Sequence, residues 1–469
     1  MRDIGIETHP YIGRRIISHP GEGAETITAL NTDRLVGGAE AVEVTYYFSV
    51  DHKGIPLAGL ANAAKMVLEH GTLKPWHSEG DPSVSKPAAY DSFMSWATGI
   101  GLLEQGPGWE AGLVTIAYPL AFFDKREDGR VPLGQLMMAI ASEPYSAFSF
   151  YRAAKIVDVR FPASLRRRFP GQRWPNERVR AYLGLAPREP IIGTIVKPKT
   201  GLTPELFSRS VVEAASAGAR FTKADENMHL TLKDVSRYVG RVAKDLAAAG
   251  FDLGRDSAPR GRRFLFAPHI TTDADSIDEY ARAALDAGAN ALMFSPYYGG
   301  GFLAMSRIVE EYDVPVYAHT AGMNVTTGSP GWGMDPRVMY VLSGLFGAAF
   351  MQLTAVDGYL RPSDAEKPPI LAALKENGLD GEKGMTLAIA GGMSPKVIGR
   401  NVKALGGTGR MFLAGTSVYG HPDGPTAGVK ALIAAYAAFE RESITEVEGL
   451  RRFARGLGGD EGRALERSL

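Results

Sequence analysis

The chain has 469 residues, 45% hydrophobic and 22% charged, enough for two or three domains with sizeable cores. Lysine plus arginine equals aspartate plus glutamate at 52 each, so nothing global points to a nucleic-acid or membrane-surface partner. The absence of cysteine excludes disulfides, thiolate metal sites and cysteine nucleophiles.

The opening MRDIGIETHPYIGRRIISHPGEG carries charges and prolines but no apolar stretch of signal-peptide length. No run approaches the ~20 apolar residues that span a bilayer. The expectation is a cytoplasmic protein. Residues 1–38 read as an irregular arm. AVEVTYYFSV (41–50), rich in β-branched and aromatic residues, predicts a strand. Ile55–His70 has helical spacing through Leu57, Leu60, Ala64, Val67 and Leu68. GLVTIAYPLAFF (112–123) predicts a second strand, VPLGQLMMAIASE (131–143) a second helix, and a further strand region follows. Residues 39–160 are thus expected to form a small α+β domain, and the Arg- and Pro-dense 161–190 a connector.

From residue 191 the pattern becomes regular. IIGTIVKPK, RFTKADE, RRFLFAPHIT, ANALMFSP, VPVYAHTA, AAFMQLTA, MTLAIAGG and RMFLAG are short β-rich segments. Helical stretches such as PELFSRSVVEAASAGA and SIDEYARAALDAG lie between them. Such a run of strand–helix units predicts a (β/α)8 TIM barrel over 191–440, with 441–469 as a helical tail. A doubly wound open sheet is the alternative, but it rarely needs eight consecutive units. There is no GxGxxG or GxxxxGK[ST] loop to suggest a dinucleotide or ATP site.

Barrel enzymes keep their chemistry at the carboxyl ends of the strands. Here those ends carry Lys197 and Lys199; Lys223, Asp225 and Glu226; His269; His319; Gln352 and Thr354; Gly391-Gly392; and Gly415-Thr416. Residues two apart on a strand share a side, so Lys223 and Asp225 point together and Glu226 turns at the end. Two carboxylates beside a lysine read either as a salt bridge or as a site for a hard cation such as Mg²⁺. A cationic lysine is no ligand, whereas a lysine carbamate offers an anionic oxygen.

GTIVKPKTGL (193–202) followed by FTKADEN (221–227) resembles the paired signature of the RuBisCO large-chain family. Val316–His319, Gly391-Gly392, Gly420–Pro422 and IVDVRFP (156–162) match further landmarks in order, so the resemblance covers roughly residues 40–440. It implies a ferredoxin-like amino-terminal domain before the barrel, and one Mg²⁺ per site held by Lys223, carbamylated by CO₂, with Asp225 and Glu226. It further implies enolisation of a phosphorylated substrate, Lys197 as the proton-moving lysine, Lys199 in support and His319 near the substrate hydroxyls. Gly391, Gly392, Gly415 and Thr416 would hold a phosphate through backbone amides. His269 stands where the family has an amide, and His421 reads as structural. The family's assembly, in which one subunit's amino-terminal domain closes another's barrel mouth, implies a homodimer or a multiple of it.

Departures are equally informative. Thr320 replaces a phosphate-binding arginine, Gln352 a histidine for the same phosphate, and Tyr359 the mobile lysine that steadies the carboxylated intermediate; Ser146 replaces an asparagine of the amino-terminal domain. The expectation is a non-carboxylating RuBisCO-like protein acting on a monophosphate, with an isomerase or enolase outcome, or a decarboxylase or carbon–carbon cleavage outcome. A genuine ribulose-bisphosphate carboxylase and a non-catalytic regulatory relative are the alternatives.

Overall fold

The computed structural model describes residues 17–18, 40–52, 59–68, 95–123, 126–186, 189–254, 261–298 and 300–469. Most of the arm expected at 1–38 therefore lies outside the described residues. The chain divides into two compact units: residues 1–169 with 323–339 and 368–370, and residues 170–322 with 340–367 and 371–469. The break at Phe169/Pro170 falls inside the segment expected as a connector.

The first unit is the ferredoxin-like domain, built on a mixed sheet. Strands β1 (Ala41–Asp51), β2 (Trp96–Gly106), β3 (Trp109–Pro119) and β4 (Tyr151–Arg160) are antiparallel neighbours in the order β2-β3-β1-β4. β1 buries Val42, Val44, Tyr46, Phe48 and Val50, the alternation that its sequence carries. The helix expected at 55–70 is described over Gly59–Leu68, burying Leu60, Ala63, Ala64 and Val67. The expected strand 112–123 begins earlier, at Trp109, and stops at Pro119; Leu120–Phe122 turns as a 3₁₀ helix.

The second unit is the barrel. Its strands are β5 (Ile191–Ile195), β6 (Phe221–Lys223), β7 (Leu265–Ala267), β8 (Leu292–Phe294) and β9 (Val316–Ala318). β10 (Trp332–Met334) belongs to the first unit, where it pairs in parallel with β4. β11 (Phe350–Thr354), β12 (Thr386–Ala390) and β13 (Arg410–Ala414) complete the barrel. The parallel sheet runs β7-β6-β5-β13-β12-β11-β9-β8. An isolated parallel bridge between His269 and Met293 joins its two end strands, so His269 helps close the ring.

Thr203 and Thr231 cap the first two barrel helices, Pro204–Ser216 and Leu232–Ala248, by accepting from Leu206 and Asp234 amides at 3.3 and 3.2 Å. The expected connector is more than a linker. Its helix Asn176–Leu183 sends Val179 and Leu183, with Trp174, into the core that includes Ile191, Phe221, Leu265, Met293, Tyr317, Phe350 and Met411. Phe221 stacks with Tyr317 at 5.9 Å and meets Phe350 at a tilt at 5.0 Å between centroids, forming an aromatic floor inside the barrel. No helix among the described residues is long and apolar enough to cross a membrane.

Candidate active site

The two-residue period of a strand carries this floor up into a polar layer. Lys223 follows Phe221, His319 follows Tyr317 and Gln352 follows Phe350, each two residues nearer the carboxyl mouth. Above them is a cavity of ≈ 530 Å³ lined by Lys197, Asp225, Glu226, His319, Gln352, Tyr359, Gly391, Gly392, Gly415 and Thr416, among others.

Lys223 is 0% exposed, its Nζ 5.7 Å from the Tyr317 ring centroid. It donates to the Ala224 carbonyl at 3.1 Å and to Glu226 Oε2 at 3.4 Å. Burial pushes its pKa below the usual lysine range, against the pull of Glu226 and Asp225. Asp225 is ion-paired with Lys197, and its Oδ1 accepts from the Asn227 backbone and side-chain amides, both at 3.0 Å. Burial works to raise the Asp225 pKa, but these bonds hold it below the usual carboxylate value. Burial likewise opposes ionisation of Glu226, yet the His319 hydrogen bond and the Lys223 charge keep it ionised.

The histidine tautomer follows from its two contacts. His319 Nδ1 accepts from the Ala321 N–H at 3.1 Å, so Nε2 carries the proton and donates to Glu226 Oε2 at 3.3 Å. Burial and the neighbouring Lys223 lower its pKa, consistent with a neutral ring. His269 is driven down to about 4 by burial and contacts the Met228 carbonyl at 3.2 Å.

The glycines have separate reasons. Gly391 and Gly392 take φ of 74° and 101°, which other residues adopt only under strain. A Cβ on Gly415 would stand 3.1 Å from Lys197 Cε, so glycine leaves the lysine its room. Among the described residues, the N–H groups of Gly392, Gly415 and Thr416 donate to no backbone carbonyl outside the regular elements.

The loop after β11 is held from several sides. The Val356 amide donates to Asn401 Oδ1 at 2.8 Å, the Asp357 amide to Asp364 Oδ2 at 3.1 Å, and Arg400 pairs with Asp357 at 2.7 Å. Lys367 bonds the Ala355 carbonyl at 3.2 Å and pairs with Asp364. Tyr359, 82% exposed, and Leu360 therefore sit beside Gly391-Gly392 on an anchored loop.

Of the residues singled out from sequence, Lys197, Asp225, Glu226, His319, Gly391, Gly392, Gly415 and Thr416 converge on the cavity, with Lys223 in its floor through Glu226. Lys199 does not; it is exposed and lines no part of this cavity. Thr320 also lies outside the lining, whereas Gln352 and Tyr359 are in it. His421 links two backbone segments, accepting from the Asp423 amide and reaching the Ala464 carbonyl, both at 3.0 Å. Sequence reading missed the buried Thr194–Thr222 hydroxyl pair at 2.6 Å below the mouth. It also missed Tyr317, whose hydroxyl bonds Gln352 Oε1 at 3.1 Å; an aromatic two residues before His319 was the available signal.

Among the described residues no three His, Cys, Asp or Glu side chains are disposed to hold a metal. Two adjacent carboxylates are in place, and the buried Lys223 amine is the group whose carbamate would supply a third anionic ligand. The residues present fit a Mg²⁺ on those terms.

A parallel barrel with two lysines, two ionised carboxylates and a neutral histidine at its carboxyl mouth defines a barrel enzyme with a lysine–carboxylate centre. Residues 177–457 match the ribulose bisphosphate carboxylase large chain, catalytic domain. The chain is 30% identical to the ribulose bisphosphate carboxylase of Methanocaldococcus jannaschii over 355 residues, 72% of this chain and 80% of that one. It is 27% identical to the 3-oxo-isoapionate-4-phosphate decarboxylase of Rhizobium rhizogenes (64% and 71% covered). Identity to the 2,3-diketo-5-methylthiopentyl-1-phosphate enolase of Geobacillus kaustophilus is 26% (71% and 76% covered). A crystal structure of a rubisco-like protein from Burkholderia fungorum shares the fold, with a TM-score of 0.71 at 22% identity over 92% of this chain and 99% of that one. The chain belongs to the RuBisCO large-chain family, in its RuBisCO-like branch.

Proposed function

We propose that this protein enolises a phosphorylated ketose or keto sugar acid without fixing CO₂, and completes an isomerase or enolase reaction, or a decarboxylation or carbon–carbon cleavage. The observation that carries this reading is the meeting of Lys197, Asp225, Glu226 and His319 in one cavity whose β11 side offers Gln352 and Tyr359 in place of cations. Carbamylated Lys223, Asp225 and Glu226 would hold Mg²⁺, which would supply Lewis-acid stabilisation of charge on a substrate oxygen. Lys197 takes and returns the carbon-bound proton. In this structure Asp225 pairs with the Lys197 ammonium; as a metal ligand it would be withdrawn from that pair. His319 fixes Glu226 through its Nε2–H, and the amides at Gly392, Gly415 and Thr416 take the single phosphate. Relatives named as a decarboxylase and as an enolase support a non-carboxylating outcome and leave both product classes in view. The convergence of the charged residues weighs against a regulatory relative that has lost its chemistry.

Turnover is expected to require Mg²⁺, to rise on preincubation with bicarbonate, and to vanish with EDTA and return with Mg²⁺. Full activity in chelated, CO₂-depleted buffer would refute the proposed centre. The same reading carries a homodimer or a multiple of it, with an interface above ~2,000 Å². Sedimentation velocity at assay concentration should find at least two copies; an active monomer is the contrary result.

A further inference from the structure

The loop after β11 lies directly on the Gly391-Gly392 turn. A Cβ on Gly358 would stand 2.8 Å from the Gly391 carbonyl oxygen, so this close approach needs glycine. A Cβ on Gly391 would meet Leu360 Cδ1 at 2.8 Å, and one on Gly392 would touch Tyr359 Cε1 at 3.8 Å. Four consecutive loop amides have acceptors. Ala355 donates to the Ala390 carbonyl at 2.7 Å and Gly358 to the Ala355 carbonyl at 2.9 Å. Between them, Val356 donates to Asn401 Oδ1 at 2.8 Å and Asp357 to Asp364 Oδ2 at 3.1 Å. Asp357 itself takes a left-handed φ of 59°, with its carboxylate held by Arg400 at 2.7 Å.

Asn401 is 0% exposed in the helix Pro395–Leu405 that follows β12, where asparagine is a poorer helix former than alanine or leucine. Its Nδ2 donates to the Val397 carbonyl at 2.9 Å, one turn back, which leaves Oδ1 for Val356. The reversed amide would set NH₂ against the Val356 N–H and Oδ1 against the Val397 carbonyl. One orientation alone satisfies both ends, and it grips the loop.

We propose that Asn401 is a positioning residue for the site: through the Val356 amide it holds the loop after β11 against the Gly391-Gly392 turn, so that Tyr359 stands in the cavity wall before any substrate arrives. The wall is then a fixed part of the barrel and not a lid that closes. The inference rests on the reading above in taking this cavity as the substrate site. Loosening the loop weakens binding at the turn. It leaves the proton-moving and metal-holding groups in place, since Asn401 lies on a different element from Lys197, Lys223 and His319.

The test is amide hydrogen–deuterium exchange of the ligand-free, full-length protein, followed by mass spectrometry in overlapping peptides that resolve residues 355–358. Wild-type amides there are expected to exchange roughly a hundredfold or more slowly than in an unstructured peptide. Asn401→Leu, similar in size but without the acceptor, should speed exchange at Val356–Gly358 roughly tenfold, with no matching change across β12. Arg400→Met, at a partly exposed position where the fold is not at risk, should speed it about threefold. Rapid exchange in the wild type, or unchanged rates in both variants, overturns the proposal. A second readout separates positioning from local structure alone. With a monophosphate that exchanges its carbon-bound hydrogen, Asn401→Leu should raise KM about fivefold while kcat stays within about twofold. An unaltered KM beside a loosened loop would make Asn401 structural only and contradict the proposal. If no compound exchanges its carbon-bound hydrogen, the enolising reading falls, and the amide rates alone decide this one.

Discussion

Replacing Lys223 by alanine or methionine is expected to reduce turnover by roughly a thousandfold or more, and bicarbonate should no longer stimulate what remains. Lys223 lies wholly buried between the aromatic floor and Glu226. Methionine is the more telling variant because it fills most of the same volume above Tyr317. The fold should survive, since Glu226 keeps His319 and Asp225 keeps Lys197 and Asn227. Circular dichroism and thermal melting separate lost chemistry from lost structure. A folded Lys223→Met protein with wild-type turnover and Mg²⁺ affinity would remove the carbamate from the account.

The second large effect concerns ribulose 1,5-bisphosphate. Activated protein is expected to incorporate no labelled CO₂ with this substrate above background. A second phosphate and a carboxylated intermediate both need positive charge on the β9 and β11 side. There the chain has Thr320 away from the cavity, and Gln352 and Tyr359 in it. A charged contact contributes roughly 1.5–3 kcal/mol, so losing three costs roughly 10³–10⁶-fold in rate. The tyrosine cannot be relieved by a lysine from elsewhere in its loop. Lys367, the next lysine along, is buried and bound to the Ala355 carbonyl and to Asp364. Incorporation at carboxylase-like rates would contradict both the branch reading and the single phosphate.

The barrel was legible because its strands are buried on both sides. Short apolar-rich runs such as FMQLT and TLAIA, set between Gly347 and Asp357 and between Gly384 and Gly391, leave little choice of structure. Strand β2 was not legible: WATGIGLLEQG mixes glycines with apolar residues and gains its conformation by pairing with β3. β10 was missed for a related reason, as three residues inside the barrel sequence become a strand only against β4. In the site, the residue identities could be read from strand ends, but their partners could not. Lys197 with Asp225, His319 with Glu226 and Tyr317 with Gln352 are contacts between different strands, set by the barrel's register. Lys199 illustrates the converse, since a motif position two residues past Lys197 has left the strand and points no chemistry into the cavity.

The most direct measurement of the central claim is exchange of carbon-bound hydrogen with solvent. Protein preincubated with Mg²⁺ and bicarbonate is mixed in D₂O with a panel of phosphorylated ketoses and keto sugar acids, and deuterium uptake beside the carbonyl is followed by NMR. The account predicts Mg²⁺-dependent exchange into at least one monophosphate, lost in Lys197→Met, whichever product follows. Product formation from such a compound with no deuterium entering beside its carbonyl, or exchange that persists undiminished in Lys197→Met, would contradict it.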